Sequence, residues 1–292
     1  MYPASFEVLI PRSLDEALDM LEKYGENAKV LAGGHSLIPM MRLRLVKPAY
    51  VIYIGRIPGL SYIREEGGEL RIGALTTHNE IEESSLLKEK NPLLSETASK
   101  IGDLQVRNMG TIGGSLAHAD PAADYPGDPS RSRGQRRPQE QVGGEGRQAR
   151  GLHNRPLHNR PQAQRAPSRD QAPALTGSFG TAYEKLVFRA SDFAIVGVAA
   201  LVQLSGDGTA EKVRVGLTGV DEKPVRARGV EEELEGKKLS EDLIARAAER
   251  ASEGINPPTD IRASAEYRRR MARALTKQAL TRAFKRASRT QG

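Results

Sequence analysis

Apolar positions along this chain recur with two different periods, and the alternation between them sets out most of the elements. Leu14, Ala17, Leu18 and Leu21 share one face of a helix that begins at the capping pair Ser13 and Glu16 and stops near Tyr24, before Gly25. β-rich runs flank it, Phe6 to Ile10 before and Lys29 to Ala32 after. Tyr50 to Ile57 and Glu69 to Leu75 predict two more strands around a glycine-rich turn. Thr77 to Glu80 is a second capping box opening a short helix, and Asn91-Pro92 starts another that runs to about Lys100. These elements predict a domain of mixed helix and sheet. Further on, Asp192 to Leu204 and Lys212 to Val220 are β-rich and joined by Ser205-Gly206-Asp207-Gly208, a hairpin signal. Ser240 to about Ser252 and Ala263 to about Arg286 predict helices, the second with Tyr267, Met271, Leu275 and Leu280 at near-helical spacing and a basic opposite face.

Two glycine-broken stretches interrupt this pattern and are the candidates for chemistry. Leu31 to Leu45, LAGGHSLIPMMRLRL, runs from a strand straight into Gly33-Gly34 and then a hydroxyl residue, Ser36. Thr111 to Ser115, TIGGS, repeats the device about eighty residues later, with a carboxylate, Asp124, just beyond. Paired glycines let a backbone approach a phosphate closely and offer it N–H groups. One such turn is more often only a tight turn; two predict one nucleotide held from two sides. His35, alone in a glycine turn, reads as a polar turn residue without chemistry of its own.

Composition narrows the class. At 292 residues the chain can bury a sizeable core in two or three lobes. No run approaches the roughly 18 consecutive apolar residues of a membrane span. The start, MYPASFEVLIP, lacks the basic residues and small-residue cleavage site of a signal peptide, so a cytoplasmic protein, or one meeting the cytoplasmic membrane face through partners, is expected. Without cysteine these residues hold no disulfide, thiol nucleophile or cysteine-bound iron–sulfur cluster. The net charge of +7 is local: residues 127–170 contain ten arginines, no lysine and four acids, which leaves the rest near neutrality. A basic face on the fold that would bind nucleic acid is therefore not expected.

The motifs LAGGHSLIPMMRLRL, RNMGTIGGSLAHADPAADYP and YEKLVFRASDFAIVGVAA, in this order, resemble the FAD-binding medium subunit of the molybdenum hydroxylases, the xanthine dehydrogenase family, with carbon monoxide dehydrogenase as the nearest likeness. The similarity spans about 1–126 and 176–292. It implies an α+β fold: a two-lobed FAD-binding domain of the vanillyl-alcohol oxidase/p-cresol methylhydroxylase type, with lobes at 1–57 and 58–176, and a smaller C-terminal α+β domain at 177–292. No Rossmann GxGxxG is expected, and none is present. Carried over by motif position, the resemblance has Ala32, Gly33, Gly34, His35, Ser36 and Leu37 wrap the FAD pyrophosphate mainly through backbone groups. Thr111, Gly113, Gly114 and Ser115 do so from the other side. It places Asp124 at the ribose or adenosine end and Lys185 near the isoalloxazine ring, where an ammonium would stabilise negative charge on reduced flavin. Outside its motif Lys185 would read as a surface lysine at a strand end. Asp260 to Leu275, DIRASAEYRRRMARAL, resembles the family's C-terminal signature, so Asp260, Arg262, Tyr267 and Arg268 are expected to tie the domain together or meet a partner subunit.

The same resemblance implies an electron-exit subunit with no catalytic acid or base and no metal of its own. A large partner would hold the molybdenum cofactor, a small partner two [2Fe-2S] clusters, and FAD on this chain would pass electrons to an external acceptor. Two other readings are weighed against it. A stand-alone FAD-dependent oxidoreductase of the same fold, like UDP-N-acetylenolpyruvylglucosamine reductase, would need a substrate lobe; the aromatic content is 4% and no such residues stand out. A nucleic-acid-binding or scaffold protein would use the arginine-rich segment and bind with a steep salt dependence.

That segment departs from the rest of the chain. Between 127 and 170 only Val142, Ala149, Leu152, Leu157, Ala163 and Ala166 are apolar, too few to offset the ordering entropy of the stretch. Yet the resemblance expects strands here that complete the FAD domain, one of them touching flavin through its backbone. Either this is a disordered basic loop, or 127–174 is read out of frame between two compensating nucleotide changes. A permitted choice of codons for Leu152 to Pro173, read one nucleotide later, gives YITGPFTTALKPSELLVEIRLP, a sequence of the expected kind.

Overall fold

The computed structural model describes residues 2–125 and 169–290. The frame question for residues 127–168, and the arginines of the nucleic-acid reading up to Arg165, lie outside the described residues.

The first core is a parallel sheet of three strands, β1 (Glu7–Leu9), β2 (Ala28–Leu31) and β3 (Tyr50–Tyr53), in the order β1-β3-β2. Parallel neighbours require crossovers, which α1 (Leu14–Tyr24) and the segment holding α2 (Leu37–Arg42) supply. Ala17 and Leu21 bury the inner face of α1 against Ile52 and Ile54. Its cap differs in one detail from a reciprocal box: the Ser13 hydroxyl accepts the Glu16 amide at 3.1 Å, but Glu16 accepts from the amide of Arg12, at 2.6 Å. The glycine stretch leaves the carboxyl end of β2, the end at which open α/β sheets present their loops to ligands.

The second core surrounds an antiparallel sheet, β4 (Ile63–Glu66), β5 (Glu69–Gly73) and β6 (Arg169–Pro173). Gly67 and Gly68, with φ of 61° and 76°, form the two-residue hairpin between its first strands. Helices α3 (His78–Glu83), α4 (Ser85–Lys90), α5 (Pro92–Ser99), α6 (Leu104–Met109) and α7 (Ile112–His118) follow. The capping box of α3 is complete, with Thr77 and Glu80 each accepting the other's amide. Strand β6 corrects the expectation that the whole of 127–174 lacks ordered strands. A ladder is built from backbone groups and forms whichever side chains the strand carries. Among the described residues β6 pairs with β5 alone, and Pro173 is tolerated at such an edge.

The third core is an antiparallel sheet, β7 (Ser178–Leu186), β8 (Val196–Leu204), β9 (Ala210–Thr218) and β10 (Val225–Arg226). It packs with α8 (Arg228–Leu234), α9 (Glu241–Glu249) and the long α10 (Ala265–Arg289). β8 is buried on both faces, which is why its sequence reads as a nearly continuous apolar run. Ala272, Ala279, Ala283 and Ala287 bring α10 close to the sheet, and a side chain at Gly180 would collide with the Ala283 carbonyl. Arg268 ties this domain together as expected: its guanidinium is bonded to the carbonyls of Ile195 and Gly219, at 2.5 and 3.0 Å, and to Asp260 at 2.8 Å. Among the described residues no helix is long and apolar enough to cross a membrane.

Candidate functional site

The two glycine turns meet. Gly33 lies directly against the backbone ahead of the second turn: a Cβ there would overlap the Met109 carbonyl and stand 2.8 Å from Cα of Gly110. A Cβ at Gly114 would be 4.0 Å from that of Ala32. The second turn is itself strapped to the start of α3, with the amide of His78 on the Gly110 carbonyl at 3.0 Å and that of Ile112 on the Thr76 carbonyl at 3.1 Å.

The first turn keeps its backbone donors free. Among the described residues, the amides of Gly33, Gly34, His35, Ser36 and Leu37 have no hydrogen-bond acceptor. Gly34, with φ of 78°, supplies the left-handed step that turns successive N–H groups to one side. Five neighbouring donors without acceptors thus lie side by side, half-buried for the most part. His35 is exposed, in keeping with a backbone role.

The second turn works differently from the expectation. The amide of Gly113 is bonded to the Ala74 carbonyl at 3.0 Å, that of Gly114 to the Thr111 hydroxyl at 3.1 Å and that of Ser115 to the Thr111 carbonyl at 3.0 Å. Thr111 caps α7, and the helix consumes donors that the sequence motif seemed to leave for phosphate. Glycine is needed at 113 for packing, since a side chain would collide with Ala74. Among the described residues, the Thr111 amide and the Ser115 hydroxyl are the groups of this turn without a partner.

Asp124 and Lys185 come together as a buried pair. The ammonium is 3.1 Å from each carboxylate oxygen and 2.9 Å from the Lys100 carbonyl; the side chains are 5% and 4% exposed. The surface reading of Lys185 is thereby excluded, and so is the assignment of these two residues to opposite ends of one extended FAD. Tyr183, which the sequence did not single out, donates its hydroxyl to Asp124 at 2.5 Å. It lies two residues before Lys185 on β7, hence on the same face, and that spacing was the available signal. Burial pushes the carboxyl of Asp124 up from its ordinary range, against the pull of Lys185 and Tyr183. Burial, then Asp124, pushes the phenol of Tyr183 up as well. The turn carrying Asp124 is held on the C-terminal sheet by the Thr218 hydroxyl, 2.8 and 2.9 Å from the carbonyls of Pro121 and Ala123, and by the Gly219 amide on Pro121 at 3.0 Å.

A further buried polar group braces the junction. His78 packs under Gly110, with Nδ1 3.2 Å from the Tyr125 hydroxyl. Burial, with lesser contributions from His35 and Arg107, lowers its pKa to about 4, so the ring is neutral.

The comparisons place the chain among FAD-binding oxidoreductase subunits. Residues 4–127 match the FAD binding domain in molybdopterin dehydrogenase, and residues 181–283 match the CO dehydrogenase flavoprotein C-terminal domain. The glyceraldehyde dehydrogenase medium chain of Sulfolobus acidocaldarius is 38% identical over 279 residues, covering 96% of this chain and 98% of its own. The carbon monoxide dehydrogenase medium chain of Hydrogenophaga pseudoflava is 37% identical over 291 residues, covering 99% and 100%. The solved structure of carbon monoxide dehydrogenase from Hydrogenophaga pseudoflava, in a form lacking the Mo-pyranopterin moiety, superposes with a TM-score of 0.85 and 36% identity, over 98% of this chain and 99% of that one. The chain belongs to the FAD-binding medium subunits of the molybdenum hydroxylases, of carbon monoxide dehydrogenase type.

Proposed function

We propose that this chain is the electron-exit subunit of its complex. It would receive electrons from [2Fe-2S] clusters on a small subunit, served by a molybdenum cofactor on a large one, and deliver them to an external acceptor. Its working parts are then a FAD-binding lobe at 1–57, a second at 58–176 and a C-terminal domain at 177–292. The observation that carries this reading is the junction of the two glycine turns beside a run of free amides.

Bound FAD supplies the electron transfer chemistry; the chain supplies binding and electrostatics. The amides of residues 33–37 would meet the charge of the diphosphate, with the Thr111 amide and the Ser115 hydroxyl on the other flank. Ala32 and Gly114 set the closeness of the two flanks. Lys185, held by Asp124 and the Lys100 carbonyl, would set a positive charge near the flavin ring.

Purification of the chain with its natural partners tests the proposal. The expected result is a flavin absorption spectrum and two further chains, larger and smaller, carrying molybdenum and iron. Recovery of the chain alone, turning over a substrate of its own, would favour the stand-alone oxidoreductase instead.

A further inference from the structure

The Asp124–Lys185 pair has a consequence for the flavin that neither residue would have alone. A single buried ammonium beside the ring would favour the reduced form strongly, because little solvent screens it. Here its charge faces a carboxylate at 3.1 Å, and both side chains are almost fully enclosed. The carboxylate in turn is held by the Tyr183 hydroxyl on one oxygen. Tyr183 is fixed by its own surroundings: it packs with Leu93 and Ala199, and a Cβ at Gly197 would stand 2.6 Å from its oxygen. Gly197 is the ladder partner of Lys185, so a glycine opposite the lysine makes room for the phenol that holds the lysine's counter-ion.

We propose that Asp124 is the buried counter-ion of Lys185 rather than a ribose ligand, and that Tyr183 is the positioning residue that keeps it there, the three together setting the reduction potential of the bound flavin. The inference rests on the FAD reading above and adds residues and a sign to it. Removing the anion leaves the ammonium uncompensated and raises the potential. Removing the ammonium lowers it. Removing the phenol frees Asp124 to turn away, a partial loss of the counter-ion with the same sign as its removal.

The test is spectroelectrochemical titration of the full chain loaded with FAD, as wild type, Asp124→Asn, Tyr183→Phe, Lys185→Gln and the double variant Asp124→Asn/Tyr183→Phe. Asp124→Asn should favour reduced over oxidised flavin at least tenfold relative to wild type, about 30 mV for a two-electron couple. Tyr183→Phe should shift the potential upward by less, and should add nothing in the Asp124→Asn background. A phenol that merely supports the fold would shift both backgrounds equally, and that result overturns the role of Tyr183. An unchanged or lowered potential in Asp124→Asn overturns the counter-ion itself. Should Asp124→Asn fail to fold, opposite shifts in Tyr183→Phe and Lys185→Gln still decide the matter, and shifts of one sign refute it. A wild-type chain that takes up no FAD would overturn the functional reading, and this inference with it.

Discussion

The contact between the glycine turns makes Gly33→Ala the most informative single change. The φ of Gly33 is not in the left-handed region, so alanine is not excluded by backbone strain. The obstacle is space. A methyl group there would overlap the Met109 carbonyl oxygen and lie 2.7 Å from its carbon and 2.8 Å from Cα of Gly110, all of them backbone atoms with no rotamer to change. Relief requires the two turns to part by about an ångström, which overpacking data place at roughly 1–3 kcal/mol. Parting them also strains the bonds that hold the second turn, Gly110 amide to Val106 carbonyl at 2.7 Å and His78 amide to Gly110 carbonyl at 3.0 Å, each worth about 1 kcal/mol. The total of about 2–4 kcal/mol corresponds to a fall in Tm of roughly 3–7 °C for a chain of this size. If both turns face one diphosphate, FAD affinity should drop at least tenfold, about 1.4 kcal/mol. Calorimetry and FAD titration read the two effects. Gly206→Ala is the control, since no atom lies within 4 Å of its would-be Cβ. A Gly33→Ala protein with wild-type Tm and wild-type FAD affinity would refute the claim that the turns close on one ligand.

Three other outcomes are expected. The folded pKa of His78 is depressed to about 4 from 6.5, so its contribution to stability is full above about pH 6.5 and is lost as pH falls towards 4, by at most about 3 kcal/mol. Urea unfolding at pH 5 and pH 7.5 should show this difference shrinking in His78→Gln; an identical slope in both proteins would contradict it. Arg268→Met would strip donors from two buried carbonyls and from Asp260, costing about 2–4 kcal/mol, whereas Arg270→Met on the exposed face of α10 should change Tm little; equal effects would show that the buried fork is not what matters. Finally, the ladder sets position 170 opposite Ile72 and Ala172 opposite Leu70, both of which are core residues, while the shifted reading frame supplies isoleucine and leucine at 170 and 172. We therefore expect resequencing of the gene to find compensating frame changes around codons 127–174, and an uninterrupted frame there would end the idea.

How much of this was legible beforehand depended on how local each feature is. Caps and periods are written in a few neighbouring residues, so α1, α3, α5 and the β8–β9 hairpin could be read directly, as could the tight glycine turn at Gly33-Gly34. Strand β4, Ile63-Arg64-Glu65-Glu66, is too charged to stand out, and only its pairing with β5 makes it a strand. Helix α7 runs through Gly113-Gly114, poor helix formers, because Thr111 caps it and Ala74 accepts an amide from it. That is also why the free donors of the second turn are not legible in its motif: which N–H groups remain free is a property of the folded neighbourhood. Lys185 and Asp124 were each named from the chain, but they stand 61 positions apart, and their union as a buried pair, with Tyr183 as third member, depends on the C-terminal sheet seating itself on the turn at Pro121. Local chemistry determined which residues were available; long-range packing decided which charges meet, since the strength of an ion pair is set by its distance and its burial, and neither exists until the domains close.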